Sequence, residues 1–238
     1  MKTETIGSIT GNLASGLSNR RPNVRSVVFA ALGLWFGFVF FVAAQGAFVA
    51  SAGSPPLPIF FGVAIPLAVF LAVYFAWSPF RDFILGADLR FVAAIQAWRW
   101  AGAQFLWLYS WSVLPGLFAF PAGFGDMAIG ITAPWIVLGL VRNPLFAASR
   151  RYFIWNILGI VDFVVAVSMG VLSSGLFQKI NELNGAVTTS AMNRLPLVLI
   201  PAFAVPLFTM LHLTALFQAR QLARSGKPIS LVKEVVDG

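Results

Sequence analysis

The feature that most constrains the fold of this chain is a series of six apolar stretches, each long enough to cross a lipid bilayer. They lie near residues 26–52, 57–80, 91–114, 125–141, 152–174 and 195–219. A transmembrane helix needs about 20 predominantly apolar residues. The sequence therefore predicts an all-α integral membrane protein. We expect a bundle of six transmembrane helices over residues 26–219, an N-terminal tail over 1–25 and a basic C-terminal tail over 220–238.

Composition agrees with a membrane protein. Hydrophobic residues make up 59% of the chain and charged residues 10%, whereas a soluble domain carries roughly 25% charged residues. The net charge of +8 would suggest nucleic acid as a partner in a soluble protein. Here the positive residues lie beside the apolar stretches, so we expect a lipid bilayer and not nucleic acid as the partner.

The distribution of Lys and Arg between the connectors predicts the orientation. If the N-terminus is inside, the outer segments hold only Lys179 and Arg194. The inner segments then hold Lys2, Arg20, Arg21, Arg25, Arg81, Arg90, Arg142, Arg150, Arg151, Arg220, Arg224, Lys227 and Lys233. This bias follows the positive-inside rule and predicts that both termini are cytoplasmic. The excess of Arg over Lys and the abundant Ala favour a bacterial inner membrane protein.

Three ionisable residues lie deep inside predicted spans three, five and six. At about 1.5 Å per residue, Arg99 lies roughly 13 Å, Asp162 roughly 16 Å and His212 roughly 12 Å from the nearest inner-edge arginine. Groups of complementary charge at one depth can satisfy each other, and buried charges in membranes normally do so. We therefore predict an intramembrane polar cluster in which Arg99 bonds Asp162, with Gln96 on the same helix face as Arg99.

Arg99 occurs in the segment QAWRWAG (96–102), between two tryptophans. We expect Trp98 and Trp100 to flank the guanidinium and shield it through their ring faces. Three interpretations of the buried arginine remain open. The ion pair is a structural lock between helices, Arg99 reaches the inner surface by itself, or the cluster is a functional polar site with His212 as its titratable member.

Asp126 follows the uncharged connector LPGLFAFPAGFG (114–125) at the predicted outer start of span four. A carboxylate there is typical of a helix N-terminal cap. The alternative is an outward-facing vestibule, formed with Tyr109 and Trp111 on the neighbouring outer half of span three. These two aromatic residues are also typical of the interfacial belt of membrane proteins.

Several chemistries are excluded by residue types. The absence of cysteine excludes disulfides, iron–sulfur clusters and cysteine nucleophiles. The predicted spans contain no lysine for a retinal Schiff base, and a single histidine excludes bis-histidine haem ligation, although a His212–Met169 pair stays open. Ser174 lies roughly 20 Å from the depth of His212, too far for a serine–histidine pair. The sequence predicts no catalytic residue and no metal site, and it identifies no cofactor.

Two functions remain. The first is a small-solute permease or a substrate-binding transporter subunit built around Arg99, Asp162 and His212. The alternative is a non-catalytic scaffold or assembly subunit, in which Arg99–Asp162 is a lock and the aromatic surface packs against partner helices or a lipophilic cofactor. A lipid-modifying enzyme with Asp126 or His212 as base has the least support, because no nucleophile–base spacing is visible. Six spans are few for a transporter, so we expect a homodimer or a larger membrane complex.

Overall fold

A computed structural model describes residues 23–50, 54–177, 182 and 185–225. The predicted tails over 1–25 and 220–238 lie largely outside these residues. Within the described ranges all regular secondary structure is helical, which confirms the all-α prediction. The helices are α1 (Val24–Ala44), α2 (Leu57–Ala76), α3 (Ser78–Leu85), α4 (Leu89–Ile95), α5 (Ala103–Ser110), α6 (Gly116–Arg142), α7 (Arg150–Leu172) and α8 (Val205–Ser225).

Among the described residues, four shorter helical segments join or interrupt these helices. Three are 3₁₀ helices, at Gln96–Gly102, Pro144–Ala148 and Thr189–Asn193, and one is a π-helical turn at Ile200–Ala204. Such departures from α geometry recur at functional sites and hinges.

Five helical segments of the described chain are long and apolar enough to cross a membrane. They are Val24–Ala44, Leu57–Ala76, Gly116–Arg142, Arg150–Leu172 and Ile200–Arg224. Large apolar side chains are exposed along them, which suits a lipid environment. The predicted third span, 91–114, is not among these five. It consists of α4, the 3₁₀ segment and α5, and its backbone stays in the right-handed helical region through both junctions, Ile95 and Ala103.

Helix α6 begins earlier than the fourth span that the sequence predicted. We expected a connector over 114–125, but α6 starts at Gly116 and continues through Pro121. Pro115 occupies the N-cap position, where its missing N–H costs nothing because the first amides of a helix have no intrahelical partner. Internal prolines are tolerated in membrane helices when neighbouring groups satisfy the freed carbonyls. Apolar packing of this helix therefore outweighs the preference of its Gly and Pro residues for a turn.

The chain divides into two compact units, residues 1–35 and 36–238. In the first, the described residues form the start of α1, where the Arg25 guanidinium lies 5.9 Å from the Phe29 ring centroid. In the second, one group of buried residues joins α4, the middle and end of α6, the start of α7 and the second half of α8. Another joins α5, the start of α6 and the segment around Met192. Along α6, Asp126 lies between residues of these two groups.

Candidate functional site

The 3₁₀ segment QAWRWAG sets the orientation of Arg99. With three residues per turn, Gln96, Arg99 and Gly102 lie on one face, and all three are buried. Trp98 and Trp100 point away from that face and are 73% and 61% exposed. The prediction that these tryptophans shield the guanidinium is therefore wrong: they lie about 120° to either side of Arg99 around the 3₁₀ helix, and both rings are exposed.

Helix α6 packs very closely against this segment. A Cβ placed on Gly130 would overlap the backbone nitrogen of Trp100. Only glycine permits this approach. The close contact brings the preceding turn of α6, which carries Asp126, within reach of the Arg99 side chain.

Arg99 is bonded on every side. Its Nε donates to Asp126 Oδ1 at 2.7 Å and its Nη2 donates to Asp162 Oδ2. Its Nη1 lies 3.3 Å from the Gly159 carbonyl and 3.0 Å from His212 Nε2. The Phe163 ring, and not a tryptophan, covers the guanidinium, at 3.8 Å from Cζ to the ring centroid. The structure thus brings Arg99, Asp162 and His212 together.

Gln96 lies on the same buried face but takes a different partner. Its Nε2 donates to the Phe208 carbonyl at 3.3 Å, and its Oε1 is buried without a hydrogen-bond partner among the described residues. Gln96 therefore links the 3₁₀ segment to α8.

Asp126 corrects the sequence analysis. We predicted a helix cap or, as the alternative, an outer vestibule residue. Asp126 lies ten residues after the start of α6 and pairs with Arg99, which rules out the cap and leaves the vestibule as a prediction. The capping interpretation is wrong, because it depended on a helix that began near 125. Tyr109 and Trp111 are exposed, with Tyr109 packed against the Phe120 ring at 4.7 Å between centroids. The structure does not bring these two aromatic residues to Asp126.

His212 is held as a neutral imidazole by its two partners. A guanidinium can only donate, so Nε2 accepts from Arg99. The proton then lies on Nδ1, which is 2.9 Å from Asn156 Oδ1, and the amide of Asn156 in turn donates to the Tyr152 carbonyl. A proton added at Nε2 would face Arg99. This arrangement favours a positioning role for His212 over the titratable role suggested by the sequence.

Asn156 was missed by the sequence analysis, although a signal existed. Asn156, Gly159 and Asp162 follow one another at intervals of three in NILGIVD, so they share one face of α7. All three contribute to the cluster through a side chain or a carbonyl. An amide side chain in an apolar span, on the same helix face as Asp162, was the signal that would have identified Asn156.

A partly open cavity of about 420 Å³ reaches this cluster. At one end it is lined by Asp126 and Phe163, and at the other by Ser174, Thr188 and Arg194. From Phe163 to Ser174 the lining extends eleven residues along the chain, roughly 16 Å of helix. Rings and aliphatic side chains form most of its wall, and volumes of 300–1,000 Å³ are typical of small-molecule sites.

No group of three or more His, Asp or Glu side chains that could hold a metal ion occurs among the described residues. The chemistry that the cluster offers is therefore that of one guanidinium, two carboxylates and a neutral imidazole. These groups can bind polar ligand atoms and hold or release a proton.

Residues 56–220 match the model of a family described as a domain of unknown function, DUF8737. The chain belongs to this family. The matched range contains Arg99, Asp126, Asp162 and His212 together with most of the cavity wall. No curated protein and no solved structure matches the chain.

Proposed function

We propose that this protein is a small-solute permease, or the substrate-binding subunit of a larger transporter, in a bacterial inner membrane. Its solute binds in the 420 Å³ cavity, next to the cluster around Arg99. The observation that carries the proposal is the meeting of this cavity with Asp126, which pairs directly with the buried guanidinium. Ionisable groups inside membrane proteins generally mark substrate or ion pathways when a cavity reaches them.

A six-span topology with both termini cytoplasmic is part of the proposal. The helical rod from 89 to 110 has 22 residues (110 − 89 + 1), so it is at least about 33 Å long and can cross a hydrocarbon core of about 30 Å. With it, the span count is six and the positive-inside bias is retained. The cavity end lined by Ser54 and Arg194 then belongs to two of the three outer connectors, so solute enters from outside.

Irregular helix geometry at the cavity also supports transport. Ile200, Pro201 and Val205 line the cavity at the π-helical turn that begins the last span. Transporters commonly place their substrate beside interrupted helices, where the backbone can change conformation. The 3₁₀ segment that carries Arg99 is a second such interruption.

Cysteine accessibility tests the proposal without background, because the chain has no cysteine. Ala166 lines the cavity, while Val164 on the same helix is exposed on its outer surface. A membrane-impermeant methanethiosulfonate added outside intact cells should label Ala166→Cys and leave Val164→Cys unlabelled, since lipid disfavours the reactive thiolate. An unreactive Ala166→Cys in folded protein would contradict an outward-open cavity.

The side from which the cavity opens has its own test. Reporter fusions after Asn184 should report the outer side, and fusions after Ala147 the cytoplasm. Labelling of Ala166→Cys only from inside, or a cytoplasmic result at Asn184, would reverse the orientation.

A second candidate function is favoured by the saturation of Arg99. All three of its nitrogens have partners within the chain, as expected for a structural lock. In that function the protein is a scaffold or assembly subunit of a homodimer or larger complex. Its exposed tryptophans, such as Trp98 and Trp135, would pack against partner helices or a lipophilic cofactor. An unlabelled Ala166→Cys would favour the scaffold.

A further inference from the structure

The cluster carries one negative charge more than it can neutralise internally. Asp126 and Asp162 share the single guanidinium of Arg99. His212 contributes no positive charge, because its Nε2 accepts from Arg99. An uncompensated charge in a low-dielectric interior is costly, so the cluster requires one further positive charge, supplied by a proton or by a ligand.

Of the two carboxylates, Asp126 is the one that lines the cavity. The Asp126 side chain is 15% exposed and lines the cavity, whereas the Asp162 side chain is 9% exposed and faces Arg99. The bond to Arg99 engages Asp126 Oδ1. Oδ2 of the same carboxylate is therefore the oxygen best placed to accept from a ligand in the cavity.

The cavity wall suits an apolar cation. Phe105, Phe118 and Phe163 line it near Asp126, and aromatic faces attract ammonium groups. The positive charge of Arg194 lines the opposite, solvent-exposed end. The lining extends roughly 16 Å along α7 between these two ends, so Arg194 lies far from the carboxylate of Asp126.

We propose that the cavity binds an organic monocation with an apolar body, and that its ammonium group pairs with Asp126. This inference rests on the function proposed above and names its substrate class. In the absence of ligand a proton neutralises the carboxylate pair, in the field of Arg99, Asp162, neutral His212 and the more distant Arg194. When the cation binds, the carboxyl O–H bond breaks and the proton passes to water, so one positive charge enters as one leaves.

A series of ligands with one shape and three charges tests the inference on the unmodified protein. The protein is placed in nanodiscs of zwitterionic lipid, with empty nanodiscs as the control for partitioning. Phenethylammonium should bind at least tenfold more tightly than 2-phenylethanol, which corresponds to about 1.4 kcal/mol. The anion 3-phenylpropanoate should bind most weakly. Equal or tighter binding of the alcohol or the anion, or no binding of the cation, overturns the inference.

The pH dependence of phenethylammonium affinity is a second test on the same unmodified protein. Because a proton and the cation compete for one carboxylate, affinity for phenethylammonium should fall by up to tenfold per pH unit once the pair is protonated in the free state. Affinity for the uncharged alcohol should not change. A cation affinity independent of pH between 5 and 9 contradicts the exchange.

The matched variants are Asp126→Asn and Asp82→Asn. The first removes the receiving carboxylate and should lower cation affinity at least tenfold while leaving alcohol binding unchanged. The second removes an exposed carboxylate outside the cavity and should change neither. If Asp126→Asn does not fold, the binding of the three ligands to the unmodified protein and the pH dependence of cation binding still test the inference. If these tests fail while Ala166→Cys is labelled, the organic cation is rejected as the ligand, but the outward-open cavity stands. If Ala166→Cys is not labelled, the proposed transport function itself is rejected.

Discussion

Replacing Arg99 should destabilise the protein far more than replacing either acid that it binds. Arg99→Gln removes the positive charge shared by Asp126 and Asp162 and leaves two buried carboxylates facing each other. It also removes the donor to the Gly159 carbonyl. Asp162→Asn instead leaves Arg99 paired with Asp126, which is a balanced cluster.

The magnitudes follow from this difference in charge. Breaking a buried pair by removing one partner costs about 3–5 kcal/mol, and Arg99→Gln should fall in or above that range. Asp162→Asn loses one charge-assisted hydrogen bond of about 1.5–3 kcal/mol, but it also removes the cost of burying a second acid, whether that acid is ionised or neutralised by a proton. We therefore expect a net loss of about 1–2 kcal/mol for Asp162→Asn. The triple variant Arg99→Gln, Asp126→Asn, Asp162→Asn should recover most of the loss caused by Arg99→Gln.

Unfolding in mixed detergent micelles, followed by tryptophan fluorescence, measures these differences in the free energy of unfolding. Trp155 is a suitable internal reporter because its ring lies 5.5 Å from the imidazole of His212, between centroids. The reasoning is refuted if Asp162→Asn costs as much as Arg99→Gln. It is also refuted if the triple variant loses the sum of the three single losses, since additive losses indicate independent residues.

Three further predictions concern packing and capping. Gly159→Ala should cost about 1–3 kcal/mol in unfolding free energy, because a Cβ there overlaps the buried imidazole ring; Gly170→Ala, whose Cβ meets only one phenylalanine ring at 3.7 Å, is its near-neutral control. Asn156→Leu should cost about 1–3 kcal/mol by leaving the imidazole N–H without an acceptor, and a neutral effect in the same unfolding assay would contradict the assigned tautomer. Asp88→Ala should cost about 1 kcal/mol at pH 7 through loss of the α4 N-cap. Hydrogen bonds from Arg90 hold the pKa of Asp88 below its usual 3.8. The ionised carboxylate therefore stabilises the fold above about pH 3.8, and the stability lost in Asp88→Ala should disappear as the pH falls through the lowered pKa. A loss that persists at pH 2 would exclude the charged cap.

The sequence was sufficient to align Arg99, Asp162 and His212. Depth in a membrane helix depends only on the number of residues and on the rise per residue, so complementary groups at one level can be found by counting. The pairing of Arg99 with Asp162 followed from the cost of leaving either charge alone. Asp126 was placed outside the cluster, because the Gly- and Pro-rich connector over 114–125 predicted that the helix begins at 125.

The start of α6 depends on tertiary structure. Pro115, Gly116 and Pro121 are helix-breaking signals in water, where an unpaired carbonyl can bond to solvent. Beside packed helices the chain keeps its helix, because no other arrangement satisfies the remaining backbone groups. Ten residues of additional helix carry Asp126 down to Arg99.

The packing of side chains and of α6 around Arg99 could likewise not be predicted from the sequence. Residues 96, 99 and 102 share a face under both α and 3₁₀ periodicity, so the sequence identified the buried face correctly. The sequence did not reveal that Trp98 and Trp100 stay exposed while α6 approaches closely at Gly130 and Phe163 covers the guanidinium. The cavity beside Asp126 is the space left when side chains from several helices are packed together. Periodicity within one helix determines which side chains face inward, but only the joint packing of all the helices decides where they fail to fill the interior.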